Sequence, residues 1–265
     1  MGVRALNIAA SGMEAQLRNI DVIANNMANI NTSGFRKDRL NFADLFYDTD
    51  SLIGAKGPGG RIRPSGIEMG NGVQMMATQK LFAHGGYTKT DSELDLAISN
   101  DPGLFFRIRR PDGTVGYTRK GNFTKDEAGT MVTMDGGVLE PDIIVPAEAK
   151  QVTLARDGTV TAFDGTTAEG TVVGNITLTR FVNPAGLKPA GDNLFQETAA
   201  SGAPGEVTPA EQGNGHILQG YTENSNVQAV KELLSLIAAQ RSYEINSNVI
   251  RTSDQDLQLA NNLRG

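Results

Sequence analysis

Leu6-Asn7-Ile8-Ala9-Ala10-Ser11-Gly12-Met13-Glu14-Ala15-Gln16-Leu17-Arg18-Asn19-Ile20-Asp21-Val22-Ile23-Ala24-Asn25-Asn26-Met27 is the stretch whose reading decides the fold. Apolar residues at Leu6, Ala10, Met13, Leu17, Ile20, Ala24 and Met27 step by four and three in turn. That is the 3.5-residue repeat of a coiled-coil seam. The spacing predicts one helix over residues 4–30, ended by the turn-forming run Asn29 to Gly34.

The other end of the chain carries a matching pattern. A second seam runs through Val227, Val230, Leu234 and Ile237, and resumes at Ile245, Val249, Thr252, Leu259 and Leu263. Between them two four-residue steps meet at Arg241, a stutter that would locally unwind a supercoil. This helix is predicted to start near Asn224 to Asn226, with an Asn capping free backbone amides. Seams this long require partners, which are either each other or other copies of the chain. The repeat alone fits both. Asn25, Asn26, Asn29, Gln240, Asn246, Asn248 and Gln255 sit along or at the ends of these helices, and buried amides can fix register between chains at a cost in stability.

Between the helices the period changes. Short apolar runs predict strands at 74–78, 94–99, 104–109, 115–118, 131–133, 143–145, 152–155, 159–162, 171–173 and 176–181. Turn signals separate them, among them Pro111-Asp112-Gly113, Asp135-Gly136-Gly137 and Asp157-Gly158. Residues 35–47 mix aromatic and charged types and read as a short helix or an ordered loop. Residues 54–72 hold seven glycines and two prolines and read as a long loop. The fold class expected is α+β: long terminal helices forming a coiled-coil-like axial core, with a central antiparallel β domain. The expected boundaries are 1–30 and 225–265 for the helical core, 31–72 and 206–224 for connecting segments, and 73–205 for the β domain.

Composition narrows the function. With 30 acidic and 24 basic residues the net charge is −6, which disfavours nucleic acid as a partner. Arg4 and Arg18 balance Glu14 and Asp21 in the first helix, and four bases balance four acids over residues 225–265. The negative balance therefore lies in the middle, while the ends are neutral and suited to packing. The chain has no Cys, so it has neither a disulfide nor a thiolate metal site. No secretory signal is legible, because Asn7, Ser11 and Glu14 interrupt the first apolar stretch.

Catalytic and ligand motifs are missing too. His84 and His216 are far apart and form no zinc pair. There is no Gly-x-Ser-x-Gly elbow and no phosphate loop. Asp91, Glu93 and Asp95 lack the glycine and the closing Glu of a calcium loop, and alternation is expected to turn them to water. Arg107, Arg109, Arg110, Arg119 and Lys120 are expected to form a solvated strand face. No enzyme, cofactor, metal or small-molecule substrate is implied. A rival reading is a secreted β-domain binding module, which exposed aromatics would favour; only 6% of residues are aromatic.

Two segments carry a resemblance. Asn25-Asn26-Met27-Ala28-Asn29-Ile30-Asn31-Thr32-Ser33-Gly34-Phe35-Arg36 resembles the N-terminal signature of the bacterial flagellar basal-body rod and hook protein family. Gly220-Tyr221-Thr222-Glu223-Asn224-Ser225-Asn226-Val227 and Gln240-Arg241-Ser242-Tyr243-Glu244-Ile245-Asn246 resemble its C-terminal one. Pro64 to Val73 and Tyr117 to Phe123 are most similar to the distal-rod branch. Asn100 to Phe106 departs from the Gly-x-Gly-Phe-Phe common there. The resemblance implies a structural subunit of the basal body that polymerises with copies of itself into a helical tube. The implied neighbours are adjacent rod and hook subunits, the rings of the periplasm and outer membrane, and the flagellar type III export apparatus, which needs no cleaved signal. It further implies that residues 31–72 stiffen the tube. Proximal-rod or hook-like membership is the alternative within the family. Leu6, Met13, Leu17, Ile20, Met27, Val230, Leu234, Ile237, Ile245, Val249, Leu259 and Leu263 are the expected packing positions. Asn25, Asn26, Asn29, Gly34, Phe35, Gln240, Arg241, Tyr243 and Glu244 are the signature positions.

Overall fold

The structure is a computed structural model that describes residues 2–51, 66–165, 170–211 and 215–263. It is α+β, with a helix at each end and antiparallel strands between. Its contacts divide the chain into two units: residues 1–27, 38–79 and 229–265 in one, and 28–37 and 80–228 in the other.

The first unit holds both terminal helices, α1 (Gly2–Ala28) and α2 (Ala229–Asn262). They run antiparallel. Asn26 Nδ2 donates to Glu232 Oε2 at 3.4 Å, and a Cβ built on Gly12 would lie 2.7 Å from Asn246 Nδ2. Moving back fourteen residues on one helix thus advances fourteen on the other. A glycine inside a helix costs about 1 kcal/mol relative to alanine; at Gly12 its missing side chain leaves room for the Asn246 side-chain amide.

Four strands join this unit: β1 (Asp38–Asp44), β2 (Tyr47–Ser51), β3 (Ile67–Gly70) and β4 (Val73–Lys80). β1 pairs β4, and β2 pairs β3 antiparallel with Tyr47 opposite Gly70. The segment read as a short helix or loop is therefore mostly strand. Leu40 and Phe42 alternate with polar Arg39 and Asn41, and the partner needed to see this as a strand lies some forty residues on. Part of the expected 54–72 loop is strand β3, while residues 52–65 lie outside the described residues. α1 braces these strands: Arg4 pairs with Asp48, and Val73 N donates to Ser11 Oγ at 3.4 Å.

The second unit is built on a nine-stranded antiparallel sheet. Its central strand Leu104–Arg109 pairs with Val115–Thr118, Val138–Glu140 and Leu178–Arg180. The consecutive run Leu104-Phe105-Phe106 reads as a strand covered on both faces, and all three are fully buried. Phe106 joins a core with Ile108, Leu139, Ile143, Val160 and Ile176. Phe105 points the other way, edge-to-face with Phe82, Phe181 and Phe195 at 5.6–6.0 Å. Three more strands, Gln151–Leu154, Thr159–Phe163 and Thr171–Asn175, form a separate sheet. The expected turns close with Gly113, Gly136 and Gly158 amides donating three residues back. Asn100, at the departure from the family pattern, takes φ +68°, a conformation Asn tolerates better than other side chains. Residues 143–145, expected as a strand, contribute only an isolated bridge from Ile144 to Thr130.

Candidate assembly interface

The helix faces decide what the first unit can do. The residues of α1 turned inward include a stripe of Ala9, Gly12, Gln16, Asn19, Ile23 and Asn26, with Ala15, 2% exposed, beside it. That stripe repeats every 3.5 residues, one position before the predicted seam. On α2 the covered stripe is Glu232, Leu236, Ala239, Tyr243, Asn246 and Ile250, again at four-three spacing. The covered stripes thus mix small and amide residues with a few larger apolar ones such as Ile23, Leu236 and Ile250. Asn26 secures its end: its side chain accepts from Asp38 N at 2.8 Å and donates to Asp38 O at 2.9 Å.

The expected packing positions fall beside these stripes. Leu6, Met13, Ile20 and Met27 are half-buried, and Leu17 is exposed. Val230, Leu234, Ile237, Ile245, Val249, Leu259 and Leu263 are all exposed, from 41% at Val249 to 88% at Leu263. Val227 lies before α2 and is buried in the other unit. Of the signature residues, Asn26, Gly34 and Phe35 are buried, Asn29 and Tyr243 half-buried, and Asn25, Gln240, Arg241 and Glu244 exposed. Asn226 does not cap α2: it accepts from Lys37 N at 2.8 Å and donates to Leu81 O at 2.7 Å.

The second unit holds a buried ionic clasp. Glu223 is fully enclosed between two arginines. Arg36 Nη2 approaches its Oε1 at 2.7 Å, and Arg119 Nε its Oε2 at 2.8 Å. The Gly85 amide donates to Oε1 at 3.1 Å. Arg119 also donates to the carbonyls of Asp101, Leu104 and Ile98 at 2.7–2.8 Å. Two cations meet one anion, and these carbonyl dipoles take up the remaining positive charge. Arg119 is therefore not part of a solvated strand face, as its neighbourhood suggested; it is 1% exposed. Asp95 is likewise buried, against expectation, with Asn122 Nδ2 donating to it at 3.4 Å. Gly34 fits the clasp closely. Its amide donates to Glu223 O at 2.7 Å, its φ is +71°, and a Cβ would meet Lys120 N at 2.7 Å.

Charge states follow from this packing. Burial alone would raise the Glu223 carboxyl, but Arg119 and Arg36 outweigh it and hold it below the usual carboxylate range. Burial lowers the Arg36 guanidinium, although Glu223 opposes the shift. His84 sits 3.7 Å from Glu223 Oε1. Burial first, then repulsion from Arg119, pushes its imidazole below 6.5. Nothing in this cluster offers a nucleophile or an open site; it fastens chain segments. Among the described residues no cluster of His, Asp and Glu has the grouping of a metal site, and no helix is long and apolar enough to cross a membrane.

Comparison with known proteins decides the family. Residues 6–36 match the family described as flagella basal body rod protein, 102–162 the flagellar hook protein FlgE/F/G D1 domain, and 218–263 the flagellar basal body rod FlgEFG protein C-terminal region. The chain is 46% identical to the flagellar basal-body rod protein FlgG of Caulobacter vibrioides, over 99% of this chain and 100% of that one. It is 45% identical to the FlgG of Agrobacterium fabrum, over 96% of each. It is 30% identical to the flagellar hook-basal body complex protein FlhP of Bacillus subtilis, over 99% of this chain and 100% of that one.

The chain belongs to the flagellar basal-body rod protein family. Each of the three family regions gives one member of the clasp: Arg36 closes the first, Arg119 lies in the second and Glu223 in the third. All three residues lie in segments that carry the family resemblance, yet nothing in the sequence joins them. Their pairing spans 187 and 104 residues, and no local spacing signals a contact of that range.

Proposed function

We propose that this chain is the subunit of the distal rod of the flagellar basal body, a structural protein and not an enzyme. Copies polymerise into the straight shaft that carries torque from motor to hook. Residues 1–30 and 225–265 form its axial helical core, 31–72 and 206–224 connect and stiffen it, and 73–205 face outward. The subunit reaches the periplasm through the flagellar export apparatus, without a cleaved signal, and meets adjacent rod and hook subunits and the surrounding rings.

The observation that carries this reading is the second apolar stripe. After α1 and α2 have paired, Leu17, Val230, Leu234, Ile237 and Ile245 still face water. A family of rod proteins supplies the cover such a stripe needs: the helices of other copies, packed as in a coiled-coil-like core.

Leu17→Asp and Ile237→Asp test it. An unpaired carboxylate is costly in a packed core and nearly free at a surface. Either variant is expected to abolish rod assembly and motility, while the isolated subunit keeps its stability within about 0.5 kcal/mol. Normal rods from both variants would refute the packed core. The alternative, a proximal-rod or hook-like subunit, draws on the likeness to FlhP. Electron micrographs of basal bodies from a strain lacking the gene separate the two. Loss of only the outer part of the rod is expected; loss of the whole rod would select the alternative.

A further inference from the structure

Asn226 lies in a segment that carries the family resemblance, yet it neither caps α2 nor belongs to the ionic clasp. Its carboxamide is used almost completely. Oδ1 accepts from Lys37 N at 2.8 Å, and Nδ2 donates to Leu81 O at 2.7 Å and to Ala83 O at 3.2 Å. A primary amide has two donors and two acceptor lone pairs, the same groups as a peptide bond, so it can bridge two backbones as a strand does. The Asn226 backbone amide donates to Phe35 O at 3.4 Å. The two backbones that the side chain bridges also meet directly. Leu81 N donates to Lys37 O at 2.9 Å, and Lys80 Nζ donates to Arg36 O at 3.3 Å. The Lys80 ammonium lies 5.1 Å from the centre of the Phe35 ring, a cation–π contact.

The places of these partners in the chain matter more than their number. Residues 38–79 leave the β unit after Lys37 and return at Lys80, and the chain leaves again after Gln228 to form α2. Asn226 thus holds the last residue before the excursion and the second one after it, just before the chain departs for α2. Its own segment is fixed as well. Asn224 N donates to Gly86 O and Asn224 Nδ2 to Thr88 Oγ1, both at 2.8 Å, and Ser225 and Val227 are buried. Packed, hydrogen-bonded segments of this kind pass a displacement on from one to the next.

We infer that Asn226 is a pin that holds both ends of the 38–79 excursion to the root of α2, so that a displacement of α2 carries the excursion with it. This rests on the copy-to-copy reading above, in which α2 packs against other subunits and residues 31–72 stiffen the shaft. Asn226 is the positioning residue through which the two act together.

Hydrogen exchange of the full chain tests the pin. The Leu81 amide bonds to Lys37 O and not to Asn226, so it reports whether the two backbones stay together. Asn226→Ala removes all three side-chain bonds, whereas Asn226→Asp keeps the acceptor for Lys37 N and removes both donors. The Leu81 amide is expected to exchange about tenfold faster in both variants, the Lys37 amide only in the first, and the strand Leu104–Arg109 in neither. Unchanged exchange at Leu81 would overturn the pin. Loss of protection in Leu104–Arg109 in both variants would make Asn226 a general folding residue and overturn it as well. Electron micrographs of basal bodies carrying Asn226→Ala read the consequence: rods in normal number, but bent, are expected. Straight rods, or none from a chain whose β unit is folded, would overturn the coupling and leave the subunit reading intact. Absence of even the unmodified chain from rods would overturn that reading.

Discussion

Glu223 carries the heaviest burden of any single side chain. Removing one partner of a buried ion pair strands the other, which costs about 3–5 kcal/mol. Glu223→Gln should destabilise the full chain by that amount in urea unfolding of the β unit, since it leaves Arg36 and Arg119 facing each other without an anion. The clasp also sets a pH response. The Glu223 carboxyl is lowered from 4.5 in the fold, so its stabilisation is complete above 4.5 and is lost as pH falls through the folded value. The His84 imidazole is lowered from 6.5 in the fold, so the unfolded chain takes up protons first as pH drops below 6.5. Stability should therefore begin to fall below 6.5 and fall further below 4.5. His84→Asn should flatten the upper part of that curve and leave the lower part. An unchanged slope between pH 5 and 6.5, measured by thermal unfolding, would remove His84 from the explanation.

The helices were legible at the level of elements, and their faces were not. Seven apolar residues at four-three spacing announce α1, and the observed helix ends within two residues of the expected limits. The inward stripe of Ala9, Gly12, Gln16, Asn19, Ile23 and Asn26 has only Ile23 as a large apolar residue, and so gives a weak apolar signal. Periodicity therefore marked a face beside the closed one, half-covered at Leu6, Met13, Ile20 and Met27 and open at Leu17. Strands were legible where the sheet buries both faces, as at Leu104-Phe105-Phe106. They were hidden where one side stays wet, as in β1 and β3, whose pairing partners lie far along the chain. The buried Arg119 was hidden by its company: Lys120 follows it and Arg107, Arg109 and Arg110 lie about ten residues before it, yet only Arg119 is fully buried. Gly12→Leu tests the closed face. A leucine there must displace the Asn246 side chain, since even a single Cβ would lie 2.7 Å from Asn246 Nδ2. The variant should lose the α1–α2 pairing, seen as faster amide exchange in both helices, while exchange in the strand Leu104–Arg109 stays unchanged. Equal protection of α1 in both proteins would mean that the close approach is not needed.

The whole molecule contains two kinds of packing. The β unit is complete in itself, with a closed apolar core and a clasp that joins segments from three family regions. The helical unit satisfies only one face of each helix and leaves a second apolar stripe in water. A rod built from such subunits should keep the first packing and add the second. A cryo-electron-microscopy map of the native rod, at a resolution that shows side chains, tests this most directly. Ala9, Ile23, Glu232 and Ala239 are expected to stay packed within one subunit, while Leu17, Val230, Leu234 and Ile237 are covered by helices of other subunits. A map in which those four residues line solvent, or in which α1 and α2 of one subunit have separated, would contradict it.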